Sequence, residues 1–179
     1  MRLHRQLKEG IGLNIAPNKV WYFAYGSCMG DDFVRTVPTY QRIGSAVLKG
    51  YRIAFSRYSY SRQGGVADII QDDASEVEGI LYQIGEDDIQ ILDDREGVHV
   101  GIYRRIPVNV QMGNRNVKAL TYEVVDKSLI EYAPDEYYAS LILGVAKQML
   151  SNEYATKLTQ HIEKLNDKGM KLWEGTPHI

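Results

Sequence analysis

The chain has 179 residues, with 21 basic and 23 acidic side chains and a formal net charge of −2. That length suits one domain of ordinary size, and the balance of charge excludes the basic excess of a duplex-binding protein. Hydrophobic residues at 44% and charged residues at 25% exclude a disordered or low-complexity chain. Residues 1–18 read as an N-terminal extension, because Gly10, Gly12 and Ala16-Pro17-Asn18 break any helix there. The extension has no apolar core like that of a secretory signal, and no apolar run in the chain approaches the roughly 18 residues of a membrane span. The expectation is therefore a cytoplasmic protein with no membrane and no nucleic-acid partner.

From Lys19 the pattern becomes β-rich. Val20–Tyr25 is a short apolar run of the kind a buried strand uses, and it ends at the glycine-bounded turn Gly26-Ser27-Cys28-Met29-Gly30. Asp31 and Asp32 suit a helix start, where negative charge is favoured. Ile43–Leu48 and Tyr51–Ser56 read as two strands broken at Lys49-Gly50. Val66–Ile70 and Val77–Ile84 read as two more, the first preceded by Gly64-Gly65. Glu86–Asp94 is a short helical stretch that stops at Gly97. Ile102–Met112 alternates with period two, turns at Gly113-Asn114-Arg115-Asn116 and returns as Val117–Val125. Pro134 fits the first turn of a helix whose apolar stripe is Tyr138, Leu141, Ile142, Val145 and Met149. Ser151 suits the N-cap of a second helix, with a stripe of Tyr154, Leu158, Ile162 and Leu165. Without repeats or linkers, these elements predict a single α+β domain built on a mostly antiparallel sheet.

Composition narrows the chemistry. Cys28 is the only cysteine, which excludes an intrachain disulfide and a thiolate-rich metal site. His4, His99, His161 and His178 are scattered without ligand spacing. Tyrosine supplies 13 of the 18 aromatic residues, beside 3 Phe and 2 Trp. An apolar ring with one polar tip, used this often, implies an interior with chosen hydrogen-bonding points.

Three glycine-rich places could hold a site. The turn at Gly26 could aim backbone N–H groups at an oxygen-rich ligand. It lacks the Gly-Lys-Ser/Thr ending of a P-loop. Gly64-Gly65 would let the backbone approach something closely, ordinarily another strand. In Leu92-Asp93-Asp94-Arg95-Glu96-Gly97, the charges of Asp93, Asp94 and Arg95 read as a solvated helix end. Glu96 stands against Gly97 with apolar Val98 and Val100 beyond it. A carboxylate drawn into such a pocket has a raised pKa and can serve as base and then acid.

The segments YFAYGSCM, GGVADI, EVEGILYQI and LDDREGVHVGIY, in this order and at these intervals, resemble the γ-glutamyl cyclotransferase family, also called AIG2-like. The likeness covers roughly residues 19–155, which the resemblance marks as the domain, with 156–179 as a C-terminal helix and tail. It implies a curved sheet or small barrel around a cavity, with flanking helices. It implies an enzyme that converts a γ-glutamyl amino acid or amine to 5-oxoproline and free amine, without metal or organic cofactor, as a monomer or homodimer. Glu96 falls on the family's catalytic glutamate. Tyr25, Gly26, Ser27 and Cys28 fall on its substrate-holding Tyr-Gly-Ser-Asn turn, with Cys28 where Asn is usual. Tyr103 and Tyr137 fall on pocket tyrosines, whereas Tyr138 and Tyr154 read as helix core. Two other readings stand beside this one: an amidase with Cys28 as nucleophile and His99 as base, and a non-catalytic small-ligand module on the same fold.

Overall fold

The computed structural model describes residues 16–30, 33 and 35–174, with side chains through residue 169. Most of the expected N-terminal extension, and the helix start expected at Asp31 and Asp32, lie outside the described residues. In chain order the elements are β1 (Lys19–Ala24), a 3-10 turn (Ser27–Met29), β2 (Gln41–Ser59), β3 (Gly64–Gly85), a 3-10 turn (Glu86–Asp88), α1 (Ile89–Glu96), a 3-10 turn (Val98–Val100), β4 (Tyr103–Met112), β5 (Arg115–Val124), α2 (Glu136–Met149) and α3 (Asn152–Glu174).

The strands form a closed barrel in the order β1-β3-β2-β4-β5. All pairings are antiparallel except the one that closes the ring, where β1 lies parallel to β5 at Tyr22 and Leu120. The four strands expected between Ile43 and Ile84 are two long ones. Lys49-Gly50 does not break β2, because the register shift between Lys49 and Tyr51 is absorbed as a bulge. On β3 the matching extra residues include Asp72, whose carboxylate accepts from Ala74 N at 3.1 Å and Ser75 Oγ at 2.7 Å.

Period-two alternation gives the sheet two different faces. Phe23, Leu81, Ala46, Leu48, Val110 and Val117 share the interior face, and all are buried. Tyr22, Tyr82 and Tyr122 point the other way and are buried too. Phe33 covers them, with ring centroids 5.2 Å from Tyr22 and 4.5 Å from Tyr82. Tyr22 meets Tyr122 edge-on at 6.1 Å. The tyrosine excess thus forms a second apolar layer outside the barrel, on which the candidate site is built.

Two helices complete the core. Asp135, not Pro134, caps α2, accepting from the backbone N–H groups of Tyr137 at 3.0 Å and Tyr138 at 3.1 Å. Such a cap is worth about 1 kcal/mol. Ser151 Oγ accepts from Tyr154 N at 3.1 Å and donates to Glu78 at 2.5 Å, so the start of α3 is fastened to β3. Tyr154, Leu158, Ile162 and Leu165 are buried as the expected stripe, in the same core as the barrel. The boundary expected at residue 155 therefore falls inside one helix and through one core.

A buried charge network ties β3 to the chain that leaves β5. Asp68 is fully buried and accepts from Ser56 Oγ at 2.5 Å, Val124 N at 2.9 Å and Lys127 Nζ at 2.8 Å. The two glycines before it serve the next crossing. A Cβ on Gly65 would overlap the Tyr132 carbonyl, and Gly65 N donates to Ala133 O at 2.8 Å. The close approach is made by the segment leading into α2, where a neighbouring strand was expected.

Candidate active site

The glycine turn is clamped from several sides. Met29 N donates to Gly26 O at 3.1 Å, which closes the turn after β1. Tyr82 Oη donates to Met29 O at 2.8 Å and Tyr25 Oη to Tyr122 O at 2.6 Å, both in buried surroundings. These bonds hold Ser27 and Cys28 against the outer tyrosine layer.

Glu96 is delivered from the opposite side. Gly97 follows α1 in the left-handed conformation (φ 64°) and its N–H caps the carbonyls of Asp93 and Asp94. This reversal suits glycine and ends the helix at Glu96. The Cys28 thiol donates to Glu96 Oε1 at 3.4 Å. The end of α1 is not the solvated charge cluster that its sequence suggests. Asp93 is buried, accepts from Tyr122 Oη at 2.8 Å and pairs with Arg105 at 3.1 Å. Arg95 donates to Thr36 Oγ1 at 2.7 Å. Asp93 had no sequence signal beyond being one acid among several, because its partners come from β4 and β5.

Tyr25, Gly26, Ser27, Cys28, Glu96 and Tyr103 all line one small cavity of about 40 Å³. Tyr103 Oη donates to Ala67 O at 2.7 Å, and Ala67 N donates to Tyr138 Oη at 3.1 Å. Two tyrosines are thereby fixed by one residue of β3. On α2 the structure separates the expected Tyr137 from its neighbour Tyr138. Tyr137 is 65% exposed and lies outside the cavity, whereas Tyr138 is buried and lines it. A helix turns about 100° per residue, and the stripe that carries Ile142 and Val145 toward the core also carries Tyr138. Tyr22 and Tyr122 complete the wall. Tyr138→Phe is expected to raise KM for the substrate severalfold, and Tyr137→Phe to leave the kinetics unchanged; steady-state kinetics on both variants checks this.

Burial sets the electrostatics. It raises the Glu96 carboxyl above its ordinary value, against the thiol hydrogen bond and the charges of Arg95 and Arg62. It pushes the Cys28 thiol up to about 12, with the nearby Glu96 charge adding to the effect and Arg95 opposing it. Tyr138 is raised to about 12, and Tyr22, Tyr25 and Tyr103 well above their ordinary value, chiefly by the same desolvation. These hydroxyls therefore stay neutral; those of Tyr25, Tyr103 and Tyr122 give their protons to Tyr122 O, Ala67 O and Asp93, and Tyr138, which accepts from Ala67 N, keeps its proton to donate. Among the described residues, no cluster of three or more His, Cys, Asp or Glu side chains is placed to hold a metal ion.

The cavity opens to a groove of about 810 Å³ that shares Ser27, Glu96, Tyr103 and Tyr138 with it. Tyr58–Arg62, at the tip of the β2–β3 hairpin, and His99 line this groove. A separate cavity of about 640 Å³ between the β2–β3 arm and α3 contains none of these groups.

The five-stranded mixed barrel thus carries a clamped glycine turn that faces the half-buried Glu96 across a small tyrosine-walled cavity. Residues 76–158 match the model of the AIG2-like family. The chain is 36% identical over 167 residues to YkqA of Bacillus subtilis (strain 168), a γ-glutamylcyclotransferase by provisional assignment, covering 88% of this chain and 57% of that protein. The chain thus spans little more than half the length of that relative. It is 29% identical over 149 residues to the γ-glutamylcyclotransferase of Mus musculus, covering 76% of each. A solved structure named γ-glutamyl cyclotransferase aligns with a TM-score of 0.74 at 26% identity, covering 79% of this chain and 86% of that chain. The chain belongs to the γ-glutamylcyclotransferase-like, AIG2-like family.

Proposed function

We propose that the domain converts γ-glutamyl amides to 5-oxoproline and a free amine, with Glu96 moving the protons. The observation that carries this reading is the half-buried Glu96 carboxyl, raised in pKa and hydrogen-bonded to Cys28, where the tyrosine-walled cavity meets the groove. The names of the relatives support the same reaction.

The substrate brings its own nucleophile. Its α-amine attacks the γ-carbonyl and a five-membered ring closes, so little entropy is lost in the step. The new C–N bond forms as Glu96 accepts a proton from the amine. The amide C–N bond then breaks, and Glu96 returns that proton to the departing nitrogen. One carboxyl serves both transfers because burial brings its pKa closer to neutrality than an ordinary glutamate's. The backbone N–H groups of the Gly26–Cys28 turn and the Tyr138 hydroxyl, which accepts from Ala67 N and keeps its own proton to give, hold the glutamyl carboxylate and the oxyanion. A water occupies on the order of 10–15 Å³, so a cavity of about 40 Å³ holds only about three or four. The γ-glutamyl group accordingly bridges cavity and groove, with the leaving group outward.

A thiol held near 12 is protonated at neutral pH and is a poor nucleophile. Its hydrogen-bond partner is Glu96. Cys28 therefore acts through the carboxylate it contacts. Cys28→Ala is expected to keep 5-oxoproline release within about tenfold of native, the scale of one charge-assisted hydrogen bond. Complete loss of activity in that variant, with the fold intact by circular dichroism, would favour a thiol nucleophile instead.

A further inference from the structure

The groove outside the cavity carries charge that the proton transfers do not use. Arg57 and Arg62 line it, with Glu96 at its inner end. Among the described residues neither arginine forms an ion pair. The Arg62 guanidinium lies over the Tyr138 ring, 4.6 Å from its centroid, so it is held at the mouth by a residue of the cavity wall. The other charged groups lining the groove are Arg95, Asp94 and Glu96, with His99 beside them. Asp94 accepts from Gln90 Nε2 at 2.9 Å, and Arg95 donates to Thr36. Three guanidiniums thus face two carboxylates, and burial favours the neutral form of one of these, Glu96. The volume of about 810 Å³ exceeds what a small amine would fill.

We propose that Arg57 and Arg62 make this groove select for negative charge on the part of the substrate that leaves, with a dicarboxylic amino acid preferred to a monocarboxylic one, and that to a plain amine. The proposal rests on the γ-glutamyl reading above. Two unpaired guanidiniums provide two places for a carboxylate, and a planar fork matches carboxylate geometry. The stacking of Arg62 on Tyr138 lowers the entropy lost when a carboxylate is bound. An amine without a carboxylate has no partner there, and a cationic one is repelled.

The test compares γ-glutamyl-ethylamine, γ-glutamyl-alanine and γ-glutamyl-glutamate as substrates of the native protein, Arg57→Gln and Arg62→Gln. The native kcat/KM should rise in that order. In each variant the ratio of kcat/KM for the glutamate compound to that for the ethylamine compound should fall roughly tenfold or more, the scale of a charge-assisted hydrogen bond. Using the ratio cancels any general effect of the substitution on Glu96 or Tyr138. Equal native rates on the three compounds, or a ratio unchanged in both variants, overturns the proposal. If no compound yields 5-oxoproline, the cyclotransferase reading fails, and calorimetry decides the selectivity separately. Affinities that rise with carboxylate number and level out in the variants support it; affinities without that order, or no binding, overturn it.

Discussion

Glu96→Gln is expected to lower 5-oxoproline release by about 10²- to 10⁴-fold, the usual contribution of a positioned general base. Glutamine keeps the shape of the side chain and removes its ability to take a proton. The fold should survive, because Glu96 forms no ion pair among the described residues and burial opposes its charge. The pH profile of the native protein belongs to the same expectation. The base must be deprotonated to accept the amine proton, and burial raises its pKa above the ordinary 4.5. The acidic limb of kcat/KM should therefore lie above that value, with the rate falling as pH drops through the raised pKa. A variant that releases 5-oxoproline at near the native rate would remove Glu96 from the mechanism.

Lys127→Met should have the largest effect on stability without touching the cavity. Lys127 Nζ lies 2.8 Å from both oxygens of the fully buried Asp68 and 3.3 Å from Glu123. Removing one partner of a buried ion pair strands the other, at a cost of about 3 kcal/mol. For a domain of this size that corresponds to a fall in Tm of roughly 6–12 °C. The Lys127→Met/Asp68→Asn pair should recover part of the loss, because the uncompensated charge is gone. Thermal melts of the two proteins check this, and a single variant that melts with the native protein would mean that Lys127 is dispensable.

The parts of the fold legible in the sequence are those written in local patterns. The β4–β5 hairpin follows from period-two alternation around Gly113, and α3 from the stripe Tyr154, Leu158, Ile162 and Leu165. The glycine turn and Glu96 are also local, and the structure brings them within 3.4 Å of each other. What was not legible depends on partners distant in sequence. The barrel closes through one parallel register between Tyr22 and Leu120, which no local pattern encodes. Asp93 looks like its charged neighbours until Tyr122 and Arg105 are placed beside it. Tyr137 and Tyr138 differ by one helical step. The apolar stripe assigned Tyr138 to the buried side, and that was correct, but burial there means the wall of the cavity as well as the core. The division of tyrosines into a pocket set and a packing set therefore has a shared member.

In this mechanism the substrate's own amine, rather than water, takes the γ-carbonyl from the leaving group. This is tested most directly by incubating the protein with γ-glutamyl-alanine in ¹⁸O-labelled water and analysing the products by mass spectrometry. The account predicts unlabelled 5-oxoproline and free alanine in equal amounts, with no glutamate formed. Release of glutamate carrying ¹⁸O in its γ-carboxylate would show hydrolysis in place of cyclisation and would contradict the account.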